Sequence, residues 1–565
     1  MTQVSFDRFF NYTELTSILE GWASSHAGLF QLSSIGKSHE SREIWLCTVT
    51  NLSTGPDTEK PALWLDANIH ASEVTGCTAA LHLVDKLLRQ HGADTKVTRV
   101  LDTRAFYIVP RLNPDGAELA LAERPRFIRS SVRPYPRTDR QDGLHEQDID
   151  GDGRVLMMRI PDANGAWKPH IDDARLMVAR EPDETPEDGR FYRVLPEGLL
   201  HNFDGTTIKV AKAVEGLDMN RNYPMEWAPE GEQHGAGPFP TSEPEVRAMV
   251  LAMTERPNIT AHITYHTYSG VHLRPYSSYD DERFPPVDLR TYKKIGEHAT
   301  RITGYPAVSV FHDFKYEPKS SIKGGADDWS YEHLGIYSWT TEFWNPQKEA
   351  GITDFHMIEW LREHSVADDL KLLAWSDDKL GGKGYIDWYP FDHPQLGRVE
   401  LGGWDVFYCW SNPPPERLEQ EIGPHADFAI FLALISPKLE IESLDVDRIS
   451  GATFKVRAVL INSGWLSSNV TQKALDRKVS TPVEAELKLP PGARVVGGDA
   501  KVELGQLEGR AEKRSLLWWF ADESSDDRTK VEWVVECPRG GSVAVEARHH
   551  RAGYARAEAV LSAGE

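Results

Sequence analysis

Ala62-Leu63-Trp64-Leu65-Asp66-Ala67-Asn68-Ile69-His70-Ala71-Ser72-Glu73 is the stretch that decides the fold. Its first six residues are apolar except for Asp66, as in a strand buried on both faces. A helix is predicted to follow, because Ala80, Leu81, Val84, Leu87 and Leu88 recur at three- and four-residue steps. Ala105 to Val109 is a second apolar strand, and Pro110 stops it. Strand, helix and strand in that order predict an α/β sheet with crossover helices. His70 and Glu73 fall where the first strand ends and the helix begins, the end of an open α/β sheet at which ligands bind. From that turn an imidazole and a carboxylate three residues apart can reach one metal ion, and both suit Zn²⁺ at about 2.0–2.2 Å. The same residues also fit an ordinary helix start with Ser72 as cap.

Outward from this centre, residues 13–27 read as a helix with Leu15, Ile18, Leu19 and Trp22 on one face, and Val287 to Thr303 as another. Ile44 to Thr50, Asn258 to Tyr265 and Gly335 to Phe343 read as strands. Residues 139–190 hold 14 acidic and 7 basic side chains with many Asp, Gly and Pro. They read as a long surface insertion without a core of its own. Near residue 436 the pattern changes to short alternating segments: Leu439 to Ser443, Thr453 to Ile461, Val483 to Leu489, Leu516 to Phe520, Val531 to Val535 and Ser542 to Ala547. Turns such as Pro490-Pro491-Gly492 separate them, which predicts an all-β sandwich. The expected fold class is therefore α/β, a mixed, mostly parallel twisted sheet flanked by helices in residues 1–435, followed by a smaller β-sandwich in 436–565.

With 565 residues the chain is too long for one core, in keeping with this division. Its 63 basic and 86 acidic residues leave a formal charge of −23, which argues against a nucleic-acid or anionic-membrane binder. Cys47, Cys77, Cys409 and Cys537 are too few and too scattered for a disulfide framework and read as reduced thiols. No apolar run reaches the length of a membrane span. Met1 to Phe10 lacks the pattern of a secretory signal, so a cytoplasmic protein is expected.

Three further places carry chemistry. His266 ends the strand that begins near Asn258 and is the best candidate for a third metal ligand; a catalytic zinc keeps its fourth position open for water. His262, four residues earlier, reads as a hydrogen-bonded core histidine. Glu342 ends the strand from Gly335; partly desolvated there, it could serve as a general base, or it could be a rim carboxylate paired with a cation. Asp218-Met219-Asn220-Arg221-Asn222 offers a guanidinium and an amide suited to grip a carboxylate, or a loop that bonds its own backbone.

Together these pieces resemble the zinc carboxypeptidases of the carboxypeptidase A/B type, in order over most of residues 5–345. Gly36 to Ile44 resembles the family's opening strand motif. Val109-Pro110-Arg111-Leu112-Asn113-Pro114-Asp115-Gly116 is similar to its proline–asparagine–proline–aspartate–glycine block. Similar blocks follow at Gly237-Pro238-Phe239 with Ser242 to Glu245, at His266-Thr267-Tyr268-Ser269 with Pro275-Tyr276, at Gly324 to Tyr331 and at Thr340-Thr341-Glu342. The resemblance implies that His70, Glu73 and His266 hold one Zn²⁺ and that Glu342 is the general base. It also implies that Asn220 and Arg221 hold the C-terminal carboxylate of a peptide or protein tail. Arg129 would stabilise the oxyanion, with Arg126 near it, and Asp327 would lie at the base of the specificity pocket, where it could favour C-terminal Lys or Arg. The chain begins almost at the family's mature catalytic region, which implies an enzyme made active, in a bacterial-type branch with a C-terminal β domain.

Two departures stand out. The family usually has a tyrosine eight residues before the aspartate of its aspartate–tryptophan pair; Ser320 occupies that position here, and Tyr316 is the nearest substitute. The distance from Glu73 to His266 is also long, and the acidic insertion accounts for most of it. Asp148, Asp150 and Asp152 resemble the first half of a Ca²⁺ loop, although Arg159 replaces the glutamate that would complete it. Other readings are an amidase or deacylase acting on cell-wall or modified peptides, and a non-catalytic binding protein on the same fold. Partners beyond the substrate and the oligomeric state are not legible.

Overall fold

In the computed structural model, residues 4–315, 321–512 and 524–562 are described. An eight-stranded mixed sheet forms the first part. In spatial order its strands are Phe30–Lys37, Glu43–Val49, Ala105–Val109, Ala62–Ala67, Ile259–Thr267, Tyr337–Phe343, Val271–Arg274 and Ala307–Ser309. The four strands at its centre run parallel, and both flanks carry antiparallel pairs.

Side chains alternate across the central strands. Leu63, Leu65, Ala261, Ile263 and Tyr265 enter one apolar layer, which the helices Tyr12–Ser25, Thr75–Gln90 and Pro415–Leu434 cover. Trp64 and Tyr107 enter the other layer, against the helix Pro244–Thr254. Helix starts follow local chemistry. Asn11 and Glu14 form a reciprocal capping box. Asn113 caps the short helix Pro114–Ala120, with Pro114 in its first turn. The next residue, Asp115, accepts from Ser38 Oγ, Glu40 N and Arg42 Nη1, so the loop after the first strand is tied to this helix start.

The acidic stretch departs from expectation. It is not a coreless surface loop: strands Met157–Pro161, Trp167–Pro169, Met177–Ala179 and Tyr192–Pro196 join Tyr385–His393 and Gly397–Trp404 in a six-stranded sheet. Leu144 and Met158 bury with Leu200, Val399 and Leu401 in a small core. Val399 and Leu401 come from more than 200 residues along the chain, which is why the local charge pattern concealed this core.

Beyond residue 436, two four-stranded antiparallel sheets enclose one apolar cluster that includes Phe454, Trp533 and Val545. This is a β-sandwich. Strands Arg494–Gly497, Lys501–Glu503 and Gly553–Leu561 complete it, while the expected strand at Leu516–Phe520 lies outside the described residues. The sandwich is locked onto the first part by buried polar contacts. Arg551 donates to the carbonyls of Gly335 and Asn469, each at 3.1 Å, and to that of Leu334. Thr471 Oγ1 also donates to Gly335 O at 2.7 Å. Gly335 has φ +62°, and a Cβ there would lie 2.5 Å from Ala474 Cα, so glycine permits this close seam. All four cysteines are buried and free. Among the described residues, no helix is long and apolar enough to cross a membrane.

Candidate active site

The Ala62 strand and the Ile259 strand pair in parallel, with Asp66 beside Thr264 and Ala67 beside Tyr265. That register brings the turn after Ala67 against the end of the Ile259 strand, where His70, Glu73 and His266 converge. His70 Nδ1 is 2.9 Å from Glu73 Oε1 and 3.1 Å from His266 Nδ1, and His266 Nδ1 is 3.0 Å from Glu73 Oε2. All three side chains are buried. Two imidazole nitrogens that face each other at this distance cannot both present lone pairs without a cation between or beside them. The donor set therefore fits Zn²⁺: two nitrogens and a carboxylate, spaced as atoms that share one ion at about 2.0–2.2 Å.

The outer nitrogens are held as well. His70 Nε2 lies 3.1 Å from Asp218 Oδ1, which directs Nδ1 toward the centre. His266 Nε2 lies 3.3 Å from Thr264 Oγ1, which donates to Asp66 Oδ1 at 2.9 Å. Asp66 Oδ2 lies 2.6 Å from His262 Nε2, and His262 Nδ1 lies 2.9 Å from Ser330 Oγ. His262 is thus a bonded core histidine, as its sequence position suggested. Sequence reasoning missed this relay, although the alternation of His262, Thr264 and His266 on one strand face was its signal. It also missed Asn412. That side chain accepts from Thr75 N at 3.1 Å and donates to Ser72 O at 2.8 Å, so it fixes the turn that carries Glu73 from 337 residues away.

Glu342 sits beside His266 in the parallel pairing of Ile259–Thr267 with Tyr337–Phe343. It is 9% exposed, and its Oε2 has no hydrogen-bond partner among the described residues. Burial pushes its carboxyl well above the usual carboxylate range; Glu73 and Asp327 add to this, and Arg129 and Arg221 oppose it. It is not a rim carboxylate in an ion pair.

Arg129 reaches the same centre. Its Nε donates to Asp218 Oδ2 at 2.9 Å and its Nη1 to Glu73 Oε1 at 3.3 Å. Burial works against the charge on Asp218, yet Arg129, Arg221 and His70 outweigh it and hold this carboxyl well below the usual range. Asn220 Oδ1 accepts from Ala326 N at 2.9 Å, which joins the Asp218–Asn222 loop to the turn before Asp327. Gly324, at φ +72°, lets that turn approach: a Cβ there would lie 2.3 Å from Arg221 O. Arg221 donates to the carbonyl of Asn220 and, among the described residues, makes no ion pair. Asp327 is buried and accepts from Thr340 Oγ1 at 3.1 Å and from Asp328 N at 2.9 Å; no internal arginine neutralises it among the described residues.

Not every expected residue joins the site. Arg126 pairs with Glu215 at 2.9 Å instead. Tyr316, like Ser320, lies outside the described residues. The Ca²⁺ expectation is not supported. Glu197, not Asp152, stands with Asp148 and Asp150. The loop's own amides occupy these carboxylates: Gly151 N and Gly153 N on Asp148, Asp152 N on Asp150, Ile149 N and Leu156 N on Glu197.

Comparison with known proteins agrees with this geometry. The zinc carboxypeptidase family profile matches residues 15–361, and that of a domain of unknown function (DUF8731) matches residues 438–560. Carboxypeptidase A2 of Mus musculus is 24% identical over 354 residues, 60% of this chain and 64% of the relative. Carboxypeptidase A6 of Homo sapiens is 21% identical over 373 residues, 63% of this chain and 64% of the relative. The chain thus spans 64% of the length of these curated relatives. Among solved structures, carboxypeptidase A from Helicoverpa armigera is 16% identical over 76% of this chain and 74% of that one; its TM-score of 0.42 is too low to carry an argument.

Proposed function

The chain belongs to the zinc carboxypeptidase family, and on that premise we propose that it is a zinc-dependent metallocarboxypeptidase that hydrolyses the C-terminal peptide bond of peptides or protein tails. The observation that carries this reading is the pairing of a buried His70–Glu73–His266 donor set with the unbonded Oε2 of Glu342 on the next strand. A non-catalytic protein has no need of that second carboxylate.

His70, Glu73 and His266 would hold the ion. Bound there, zinc supplies Lewis-acid chemistry, polarising a peptide carbonyl and making water a stronger nucleophile near neutral pH. Every other task falls to the chain. Glu342 takes a proton from the attacking water and hands it to the departing amine as the C–N bond breaks. Asn220 and Arg221 hold the terminal carboxylate, which confines cleavage to the last bond. Arg129 offers N–H donors to the oxyanion, with Asp218 and Glu73 fixing its position. Asp327 supports a preference for C-terminal Lys or Arg. Tyr316 belongs to the same proposal as a contact to the substrate.

We read the chain as a catalytic part, 1–435, and an accessory sandwich, 436–565; the two family matches support that division. A cytoplasmic setting belongs to the same proposal, and four buried free thiols suit a reducing compartment. Mass spectrometry of a peptide library before and after incubation with the zinc-loaded protein tests the activity. Loss of single C-terminal residues, stopped by a chelator, is the expected result. Release from the N-terminus or from acylated side chains would replace this reading with another.

A further inference from the structure

A cavity of about 680 Å³ lies between the six-stranded sheet, the helix Val366–Leu380 and the segment Val406–Ser411. Four indoles line it: Trp167, Trp388, Trp404 and Trp410. Trp404 and Trp410 meet edge-on at 5.6 Å, and Trp410 meets Tyr268 edge-on at 6.1 Å, so these three rings form one stretch of wall. Among the described residues that line it, Asp369 is the single Asp, Glu, Lys or Arg, and it is bonded to His364 at 3.0 Å. Trp167 and Val406 stand 40% and 48% exposed at this cavity, so an apolar group bound there would cover them. Apart from Tyr268, every one of these residues lies in the acidic insertion or beyond residue 361, where the family match ends.

Two walls of the cavity lie close in the chain to residues of the candidate active site. Tyr268, one of its walls, follows His266 by two residues. Trp410, another wall, is two residues before Asn412, which is bonded to Ser72 and Thr75 on both sides of Glu73. The wall and the metal-binding side chains are thus held by the same short segments. Asn220, Arg221 and Asp327 do not line it. A peptide with its carboxylate at Arg221 and its last peptide bond at the metal has to lead its upstream residues away from those groups, and Tyr268 and Trp410 give this cavity apolar walls within two residues of His266 and Asn412.

The geometry points to this cavity as a binding site for an aromatic or large apolar side chain of the substrate, upstream of the bond that is cut. This inference rests on the carboxypeptidase reading and adds to it a substrate class: peptides selected on both sides of the cleaved bond. Indole faces stack on aromatic rings, and enclosure on several sides removes apolar surface from water. An apolar subsite of this kind discriminates by about tenfold or more.

The test uses the full-length, zinc-loaded protein and two peptide series with one common C-terminal residue. In each series the upstream residues are varied between Trp, Phe and Gly. One series has a normal last peptide bond and is followed by kcat/KM. The other has that bond reduced to a methylene-amine and is followed by calorimetric Kd, so it needs no turnover. Trp and Phe peptides should exceed Gly peptides by about tenfold in both series. That ratio should fall toward one in Val406→Asp and in Trp167→Ala, each verified as folded by thermal unfolding. Equal values for Trp and Gly peptides in the wild-type protein would overturn the proposal, as would a ratio that survives in both folded variants. If the binding preference appears and both variants abolish it while no peptide is cleaved, the hydrolase reading falls and the cavity assignment stands.

Discussion

His266 and Glu342 are direct neighbours in register on two parallel strands, so an imidazole of the candidate metal site and a buried carboxylate whose Oε2 has no hydrogen-bond partner among the described residues share one edge of the sheet. The spacing is set by backbone hydrogen bonds and not by flexible loops. A site built on strands keeps its reacting groups in place at little cost in entropy during the reaction.

Glu342→Gln keeps the shape of this edge but removes the group that accepts a proton. Zinc content by elemental analysis should stay near one per chain, while kcat for C-terminal release falls by about 10²–10⁴. Near-wild-type turnover with full metal content would remove Glu342 from the role of base.

Thr264 Oγ1 bridges His266 Nε2 and Asp66 Oδ1. Thr264→Val preserves side-chain volume and deletes the bridge. Competition with a zinc-binding dye should show affinity lower by about 10–100-fold, and Thr264→Ser should restore it. If Val and Ser bind zinc alike, the relay does not orient His266.

Arg551 ties the sandwich to Leu334 and Gly335, just before the strand that carries Glu342. Arg551→Ala removes a donor from the carbonyls of Leu334, Gly335 and Asn469, and of the three Gly335 O keeps Thr471 Oγ1. Urea unfolding should report a loss of roughly 2–4 kcal/mol. Because the seam adjoins the Tyr337–Phe343 strand, peptide release should also lose activity at temperatures below the new midpoint. A stability change confined to the sandwich transition would show instead that the two parts are uncoupled.

Glu245 is buried, accepts from His39 N at 2.8 Å and has an unbonded Oε2 among the described residues. Burial pushes its carboxyl up to about 7, and Asp115 and Glu243 contribute in the same direction. A carboxyl raised in the folded state favours folding below its unfolded value of about 4.3, and that contribution is lost as pH rises through 7. Glu245→Gln should therefore gain on the wild type between pH 5 and pH 8, by up to about 3 kcal/mol in urea unfolding. A pH-independent difference would mean that Glu245 titrates normally.

Much of this was legible along the chain. The strands Ala62–Ala67, apolar but for Asp66, and Ala105–Val109, with the helical stretch between them, announce a buried α/β sheet, because a strand covered on both faces cannot carry polar side chains at random. Short-range motifs such as His70 with Glu73 are equally readable, since three residues at a strand end are neighbours in any fold that keeps that turn. The alternating segments after residue 436 announced the sandwich for the same reason. The tertiary structure alone decided what depends on partners remote in sequence. It paired the acidic stretch with residues 385–404 into a sheet with its own core. Through strand register it set Glu342 beside His266 and Asp66 beside Thr264. It brought Asn412 to the Glu73 turn, and indoles from four separate segments to one cavity. Local pattern reports which face a residue presents, whereas the identity of what meets that face is settled only when distant segments close their loops and bury it together.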